Sequence, residues 1–190
     1  VADDFSVLTQ FKLQKKEYVV IQPAAANGSL TSKVWAPDNF RKLIGEIYNS
    51  YPDMNIVLVG DDGDLRSIES TSLSSASDVI NLMGKTTINE LAIILSKALV
   101  VIAHDSGIMH MANALDVNLV ALYGPTDNTR TRPLGAKSRV IFSHNDCFSR
   151  MYNFKSSENE LSKLYPNYKC MDGISIENVM TTISDILEEK

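Results

Sequence analysis

The chain has 190 residues, of which 44% are hydrophobic and 22% charged, and its formal net charge is −5. These values fit one globular domain with a sizeable core, and they argue against a general nucleic-acid binder, whose surface is usually basic. No apolar run approaches the ~20 residues that a membrane-spanning helix needs. Two cysteines, Cys147 and Cys170, cannot supply the four ligands of a structural zinc site, and we expect a reduced, cytosolic chain.

The first elements follow a polar lead-in. Residues 1–17 are mixed in character, and we expect a linker there. The apolar, β-branched run YVVIQ at 18–22 predicts a buried strand. After a loop, Pro37 and Asp38 begin a helix, because proline suits the first helical position and an acidic side chain suits its positive end. The stripe predicted to face the core is Phe40, Leu43, Ile44, Ile47, Tyr48 and Tyr51.

Strands and helices then alternate along the chain. Further strands are predicted at 55–60, 78–84, 98–103, 118–124 and 139–143. Thr87 and Glu90 form a capping box before a helix. The apolar stripe expected on this helix is Ile88, Leu91, Ala92 and Leu95. A polar stretch from 144 to 172 interrupts the alternation, and Ser175 caps a last helix.

Uniformly apolar strands separated by helices are typical of a parallel sheet that is covered on both faces. The predicted fold class is therefore α/β, with one parallel sheet and helices on both of its sides. In such a sheet the ligand lies outside the carboxyl ends of the strands. The loops to consider for a site are 23–36, 60–64, 83–87, 104–107 and 124–135.

Two phosphate-binding fingerprints are excluded. The segment GKTT at 84–87 lacks the P-loop glycine five residues before Gly84, where Val79 stands. No G-x-G-x-x-G occurs either, which removes the dinucleotide fingerprint. Capping accounts for Thr87, but Thr86 follows a strand and is a candidate for a backbone or hydroxyl contact with a ligand.

The stretch AHDSGIMH at 103–110 places histidine, aspartate and serine side by side. Three consecutive residues cannot form a catalytic triad, and the G-x-S-x-G elbow is missing because His104 takes the place of its first glycine. We interpret the stretch as a helix N-terminus, capped by Asp105 or Ser106, where Gly107 admits a ligand to the backbone. The free N–H groups and the helix dipole then form an anion site.

The same helix carries a second histidine. Its predicted core face is Ile108, Met111, Ala112 and Leu115. His110 lies on the other side with Ser106 and Gly107, where it could donate to a phosphate or a sugar hydroxyl. The alternative is a capped helix with a solvated histidine.

Three other loops offer polar groups. Lys33, near a helix N-terminus, is either a phosphate partner or solvated surface, and Trp35 is expected to pack beneath its loop. Three interpretations of the acids in VGDDGD at 59–64 stay open: a Gly/Asp turn, a carboxylate that accepts from a ribose or sugar hydroxyl, and a metal site with hard oxygen ligands. The polar residues after the fifth strand either line the site or stay solvated; they are Thr126, Asp127, Arg130 and Arg132.

Taken in order, these segments resemble one known family. The C-terminal half of the ADP-heptose:lipopolysaccharide heptosyltransferases, glycosyltransferase family 9, is similar to KVWAPDNFRKLIGEI, IVLVGDDGD, INLMGKTTINELAIILSKALVVIAHDSGIMHMANAL and LVALYGPTDNTRTRP. The most specific part is DSGIMHMANAL followed by LYGPTD. The similarity runs from about Tyr18 to Lys137 and resumes at CMDGISIENVMTTISDIL.

The resemblance implies one half of a GT-B enzyme, in which two Rossmann-like domains face each other across a cleft. Residues 18–190 would be the C-terminal domain, which binds the nucleotide-sugar donor. The acceptor-binding N-terminal domain, with the aspartate that acts as base, would not be in this chain. The fragment is therefore expected to hold no catalytic residue and to be inactive alone. The implied reaction is an inverting transfer of heptose from ADP-heptose to a lipopolysaccharide core acceptor.

The resemblance also assigns donor contacts by position. Lys33 would bind the diphosphate, together with His110. The helix end at Ser106 and Gly107 would bind phosphate as well, and Asp105 would hold heptose hydroxyls.

The adenosine end of the donor is assigned in the same way. Thr86 would lie beside the adenosine, and Asp64 would meet the ribose. No metal ion and no cofactor is implied, and no nucleic-acid partner. The implied enzyme is bacterial and cytoplasmic, at the inner face of the inner membrane, with peripheral membrane association of the full-length protein. Two alternatives stay open: a transferase for another nucleotide-sugar, and a non-catalytic nucleotide-binding module.

Overall fold

The computed structural model of the chain describes residues 5–14, 17–24, 31–68, 73, 79–143 and 169–189. A six-stranded sheet runs through its centre, built from β1 (Tyr18–Ile21), β2 (Asn55–Leu58), β3 (Val79–Asn81), β4 (Val100–His104), β5 (Leu119–Tyr123) and β6 (Ser138–Phe142). All neighbouring strands pair in parallel, in the order β3-β2-β1-β4-β5-β6. This is the Rossmann strand order. The six predicted strands and the α/β class are confirmed.

Four of the seven helices of the described residues begin where the local sequence signals predict: at Pro37 and after Thr87, Ser106 and Ser175. The seven helices are α1 (Phe5–Gln10), α2 (Pro37–Ser50), α3 (Asp62–Ile68), α4 (Ile88–Lys97), α5 (Gly107–Ala114), α6 (Asn128–Thr131) and α7 (Ile176–Glu188). Single 3-10 turns lie at Thr31–Lys33 and Lys169–Met171. The predicted Pro37 start and the caps at Thr87 and Ser175 are confirmed. No helix in the described part of the chain is long and apolar enough to cross a bilayer.

Two hydrophobic cores cover the two faces of the sheet, because successive side chains of a strand point to opposite faces. Val19 and Ile21 of β1 pack in one core with α2 and α7. Tyr18 and Val20 pack in the other core with α1, α4 and α5. The prediction of helices on both faces is confirmed, and the loops at the carboxyl ends of the strands are left to form a site.

The predicted lead-in differs in the structure. Residues 5–14 include helix α1, and Val7, Leu8 and Leu13 are buried in the same core as α4. Three apolar side chains spaced within two turns are enough to anchor this segment, although polar residues between them conceal the pattern. The described part of the lead-in therefore packs with the domain.

The predicted core faces of α4 and α5 require correction. The buried residues of α4 are Ile93, Ile94 and Leu95, whereas Ile88 is 73% exposed. In α5, Met109 and Ala112 are buried. The prediction is wrong at Ile88, whereas Leu91 of α4 and Ile108, Met111 and Leu115 of α5 pack against the core on this face of the sheet. Four apolar side chains of the two helices also line a cleft: Ile88, Leu91, Ile108 and Met111.

The capping box of α4 yields a stability prediction. Thr87 Oγ1 accepts from the Glu90 N–H, and the Glu90 carboxylate accepts from the Thr87 N–H at 2.7 Å. The hydrogen bonds from Thr87 lower the pKa of the Glu90 carboxyl. We expect Thr87→Ala to lower the free energy of unfolding by about 1 kcal/mol in urea titrations. As a control, Thr182→Ala removes a hydroxyl from the interior of α7 and should not destabilise; equal losses in both variants would contradict the capping assignment.

Candidate functional site

The candidate site is a cleft of about 500 Å³ at the carboxyl ends of the strands. It extends from the loop after β2 to the start of α5, past the ends of β1 and β4. The order of the strands reverses between β1 and β4. Ligands of open α/β sheets bind in the crevice at such a reversal, so the position of the cleft in the fold marks it as a binding site.

One end of the cleft is the N-terminus of α5. Ser106, not Asp105, is the cap: its hydroxyl accepts from the Met109 N–H at 3.4 Å. The first N–H groups of a helix have no partner within the helix and point outward, where the dipole favours an anion. Gly107 is exposed, and a Cβ placed on it would meet nothing within 4 Å. A phosphate group has open access to this helix end.

The opposite end of the cleft is acidic. Asp61 Oδ1 accepts from the Asp64 N–H at 2.8 Å, which closes the first turn of α3. Asp64 is only 4% exposed, and its Cβ would lie 2.9 Å from a Cβ placed on Gly60. Asp61 and Asp62 also line the cleft, but their side chains are exposed. The predicted ribose-binding acid, Asp64, is thus buried, and its two neighbours present carboxylates to a ligand.

An apolar wall joins the two ends. Ile88 and Leu91 of α4 line the cleft together with Ile108 and Met111 of α5, and Thr86, which also lines it, is half-buried. The turn before α4 contains Gly84 with a φ of +68°, a backbone conformation that glycine adopts without strain. An apolar wall of this kind suits the flat face of a heterocycle, and the hydrophilic ends suit hydroxyls and an anion.

Three predicted site residues do not line this cleft. Lys33 ends the Thr31–Lys33 turn and is half-buried. Asp105 follows β4, with Oδ1 3.4 Å from the Tyr123 hydroxyl. His110 is exposed on α5, where its backbone N–H donates to Ser106 O. The structure therefore brings Asp64, Thr86, Ser106 and Gly107 to one cavity and leaves the other three outside its lining.

The turn that carries Lys33 is anchored by a buried histidine. The backbone N–H of Trp35 donates to His104 Nε2 at 3.0 Å, so the proton of the neutral ring is on Nδ1. Phe40 packs edge-on against both rings, with centroids 5.2 and 5.4 Å away. Burial lowers the pKa of His104 to about 4, against a smaller opposing effect of the Ala24 backbone. His104 is a structural support, and the predicted packing of Trp35 beneath the loop is confirmed.

The same turn also contacts the C-terminal part of the chain. The indole N–H of Trp35 donates to Ile174 O at 3.0 Å, and the Thr31–Lys33 turn packs against the Lys169–Met171 turn. Cys170 in that second turn is buried and disulfide-bonded, so the predicted reduced chain is wrong at this residue. Cys147 lies outside the described residues.

Several polar residues have structural roles that their positions did not predict. The Tyr123 hydroxyl donates to Thr131 O at 2.7 Å and lies beside Asp105. Asp127 caps α6 by accepting from the Thr129 N–H at 2.9 Å. Thr126 is buried, and the other polar residues of this loop, Arg130 and Arg132, are exposed. None of the candidates between 124 and 135 lines the cleft.

Gln22 is a cleft residue that sequence reasoning missed. It follows β1 directly, is 3% exposed, and accepts from the Ser106 hydroxyl at 2.6 Å. The signal was a polar residue at the end of an otherwise apolar strand. Its partner could not be read from the sequence, since 84 residues separate them. Within the described residues, no group of three or more His, Cys, Asp or Glu side chains is arranged to hold a metal ion.

Comparisons with known proteins identify the family of the chain. A sequence model described as Glycosyltransferase family 9 (heptosyltransferase) matches residues 2–160. Lipopolysaccharide heptosyltransferase 2 of Salmonella typhimurium is 46% identical over 61 residues, which are 32% of this chain and 18% of that protein. Lipopolysaccharide heptosyltransferase 3 of Escherichia coli is 26% identical over 176 residues, which are 92% of this chain and 48% of that protein.

A solved structure shares the fold. The structure of E. coli ADP-heptose lps heptosyltransferase II superposes with a TM-score of 0.71 and 23% sequence identity. The match covers 98% of this chain and 51% of that chain. The chain thus spans about half the length of the relatives that it matches along its whole extent.

Proposed function

Because this chain belongs to glycosyltransferase family 9, the heptosyltransferase family, we propose that it is the donor-binding domain of an enzyme that transfers heptose from ADP-heptose to a lipopolysaccharide core acceptor. The observation that carries the proposal is the make-up of the cleft. An open helix N-terminus, an apolar wall and exposed carboxylates follow one another in a single cavity. The three parts of a nucleoside diphosphate are complementary to these features: its phosphates to the helix N-terminus, its heterocycle to the apolar wall, and its ribose hydroxyls to the carboxylates.

The adenosine part of the donor occupies the cleft itself. The adenine ring lies against the apolar wall between Ile88 and Met111, with Thr86 beside the adenosine. The ribose hydroxyls bind an exposed carboxylate, and we assign Asp62 to this role in place of the buried Asp64. Carboxylates commonly accept from ribose hydroxyls in this class of fold. The diphosphate then reaches the α5 N-terminus at Gly107.

The sugar part lies beyond the cleft. Asp105 directly precedes the capping serine of α5, so a carboxylate stands next to the diphosphate position and accepts from heptose hydroxyls. Lys33 and His110 flank the same end of the sheet, and each adds positive charge or a donor toward the phosphates. These three assignments explain why polar residues collect outside the cavity at the α5 end.

The chemistry of the transfer divides between two domains. An acceptor hydroxyl attacks the anomeric carbon, a carboxylate base takes its proton, and ADP leaves with the electrons of the glycosidic bond. This domain holds the diphosphate and stabilises the charge that develops on it, where each fixed donor contributes on the order of 3 kcal/mol. The base and the acceptor site belong to the other half of the protein, so this chain alone is expected to be inactive. We place the full-length enzyme in the bacterial cytoplasm, at the inner face of the inner membrane.

Isothermal calorimetry on the purified chain tests the proposal with ADP, UDP and GDP. We expect ADP to bind best and Lys33→Ala to weaken ADP about tenfold, because a charged hydrogen-bond donor contributes ~1.5 kcal/mol or more. Asp105→Ala should leave ADP binding unchanged and weaken ADP-heptose. The control is Lys137→Ala, since Lys137 pairs with Asp116 at the opposite edge of the sheet.

Each outcome distinguishes the alternatives. A preference for UDP or GDP would support a transferase for another nucleotide-sugar. Binding of ADP without heptose transfer by the full-length protein would support a non-catalytic module. Equal ADP affinities for Lys33→Ala and Lys137→Ala would remove Lys33 from the site.

A further inference from the structure

We propose that Gln22 is an additional donor-binding residue, which holds the Ser106 hydroxyl through Oε1 and donates to the diphosphate through Nε2. The inference rests on the proposed function, because it adds a group to the same site. Gln22 lies where the strand order reverses, and its backbone N–H donates to Ile102 O of the neighbouring strand at 2.9 Å. Its side chain is therefore held between the ends of β1 and β4 and lines the cleft.

The hydrogen bonds around Ser106 fix the orientation of the amide. The Ser106 oxygen accepts from the Met109 N–H, so its own proton is directed away from the helix. That proton is donated to Gln22 Oε1 at 2.6 Å. The Nε2 atom carries two hydrogens in the plane of the amide, and neither takes part in the bond to Ser106.

The remaining amide group needs a partner. No hydrogen bond from Gln22 Nε2 is found within the described ranges of the chain, and Nε2 is not among the fully buried atoms that lack a partner, although the residue as a whole is only 3% exposed. Buried polar groups are normally hydrogen-bonded. Since the cleft is the space that Gln22 lines beside Ser106 and Gly107, a phosphate oxygen at the α5 N-terminus supplies the missing acceptor.

The variant Gln22→Glu distinguishes the two proposed roles of Gln22, which are donation to the diphosphate and acceptance of the Ser106 hydroxyl proton. A carboxylate still accepts from Ser106, but it no longer donates and it repels an anion. We expect the affinity for ADP to fall at least about tenfold, while the affinity for adenosine, which has no phosphate, changes less than about twofold. The matched control is Gln14→Glu, which makes the same change at an exposed position outside the cleft. Calorimetry measures the affinities, and circular dichroism confirms the fold.

The outcomes decide the proposal in each case. Equal ADP affinities for Gln22→Glu and Gln14→Glu would overturn it, and so would a parallel loss of adenosine binding. If Gln22→Glu does not fold, Gln22→Met is compared with Ser106→Ala: a larger loss of ADP affinity in Gln22→Met supports the proposal, and equal losses refute it. If the unaltered chain binds no nucleoside diphosphate at all, the proposed function fails and this inference with it.

Discussion

Replacing Gly107 with alanine is expected to weaken ADP binding at least about fivefold without loss of stability. Gly107 is the first residue of α5 and is exposed, and an added Cβ would meet no atom within 4 Å. The free protein therefore has room for the methyl group, and alanine favours a helix over glycine by up to ~1 kcal/mol. The space that the methyl group takes is the space where a phosphate approaches the helix N–H groups. Overpacking such a contact costs about 1–3 kcal/mol of binding, a factor of ~5 to 150.

Gly45→Ala is the matched control for this experiment. Gly45 lies on α2, far from the cleft lining, and its added Cβ also meets nothing within 4 Å. Both variants should unfold at the same or a higher temperature than the unaltered chain, but only Gly107→Ala should lose ADP affinity. Unchanged ADP binding in Gly107→Ala would show that the diphosphate does not contact this helix end.

The unaltered chain is expected to lose stability in acid because of His104, and His104→Gln should remove that part of the loss. Burial lowers the pKa of His104 from 6.5 to about 4. The unfolded chain binds a proton at this residue below about pH 6.5, whereas the folded chain resists protonation. The stability due to neutral His104 is thus fully present above pH 6.5 and is lost as the pH falls toward 4. The loss amounts to about 3 kcal/mol.

Urea unfolding at about pH 7 and pH 4 measures the difference. Glutamine keeps an acceptor for the Trp35 N–H but does not titrate, so His104→Gln should be less stable at neutral pH and show a smaller fall in acid. Carboxylates titrate in both proteins, so their contribution to the fall in the free energy of unfolding cancels when the two proteins are compared. His110→Gln, at an exposed position, should fall as steeply as the unaltered chain; an equally steep fall in His104→Gln would contradict the assignment.

The sequence predicts the features that depend on neighbouring residues. Each strand contains a short apolar run, and the caps at Thr87 and Ser175 involve residues only three positions apart. The cap of α5 at Ser106 follows from the same local signals, and the anion site at this helix end stays a prediction.

Features that depend on distant contacts escaped prediction. The periodicity of α4 identifies an apolar side but cannot distinguish a core from a cleft, so the prediction of Ile88 as a core residue is wrong. Three aspartates in one turn are alike in sequence, and only the fold buries Asp64 among them. The Gln22–Ser106 bond and the disulfide at Cys170 likewise require knowledge of which loops meet.

The anchoring of Trp35 has a consequence for synthesis on the ribosome. Its indole bonds to Ile174 O, a partner 139 residues later in the chain. Because translation proceeds from the N-terminus, the Thr31–Lys33 turn is synthesised early. The bond to Ile174 cannot form until nearly all the remaining residues have been added. A nascent chain that stops before Ile174 has its central strands and α5, yet it lacks one of the two supports beneath Lys33. The Thr31–Lys33 turn is therefore among the last parts of the domain to reach its final structure.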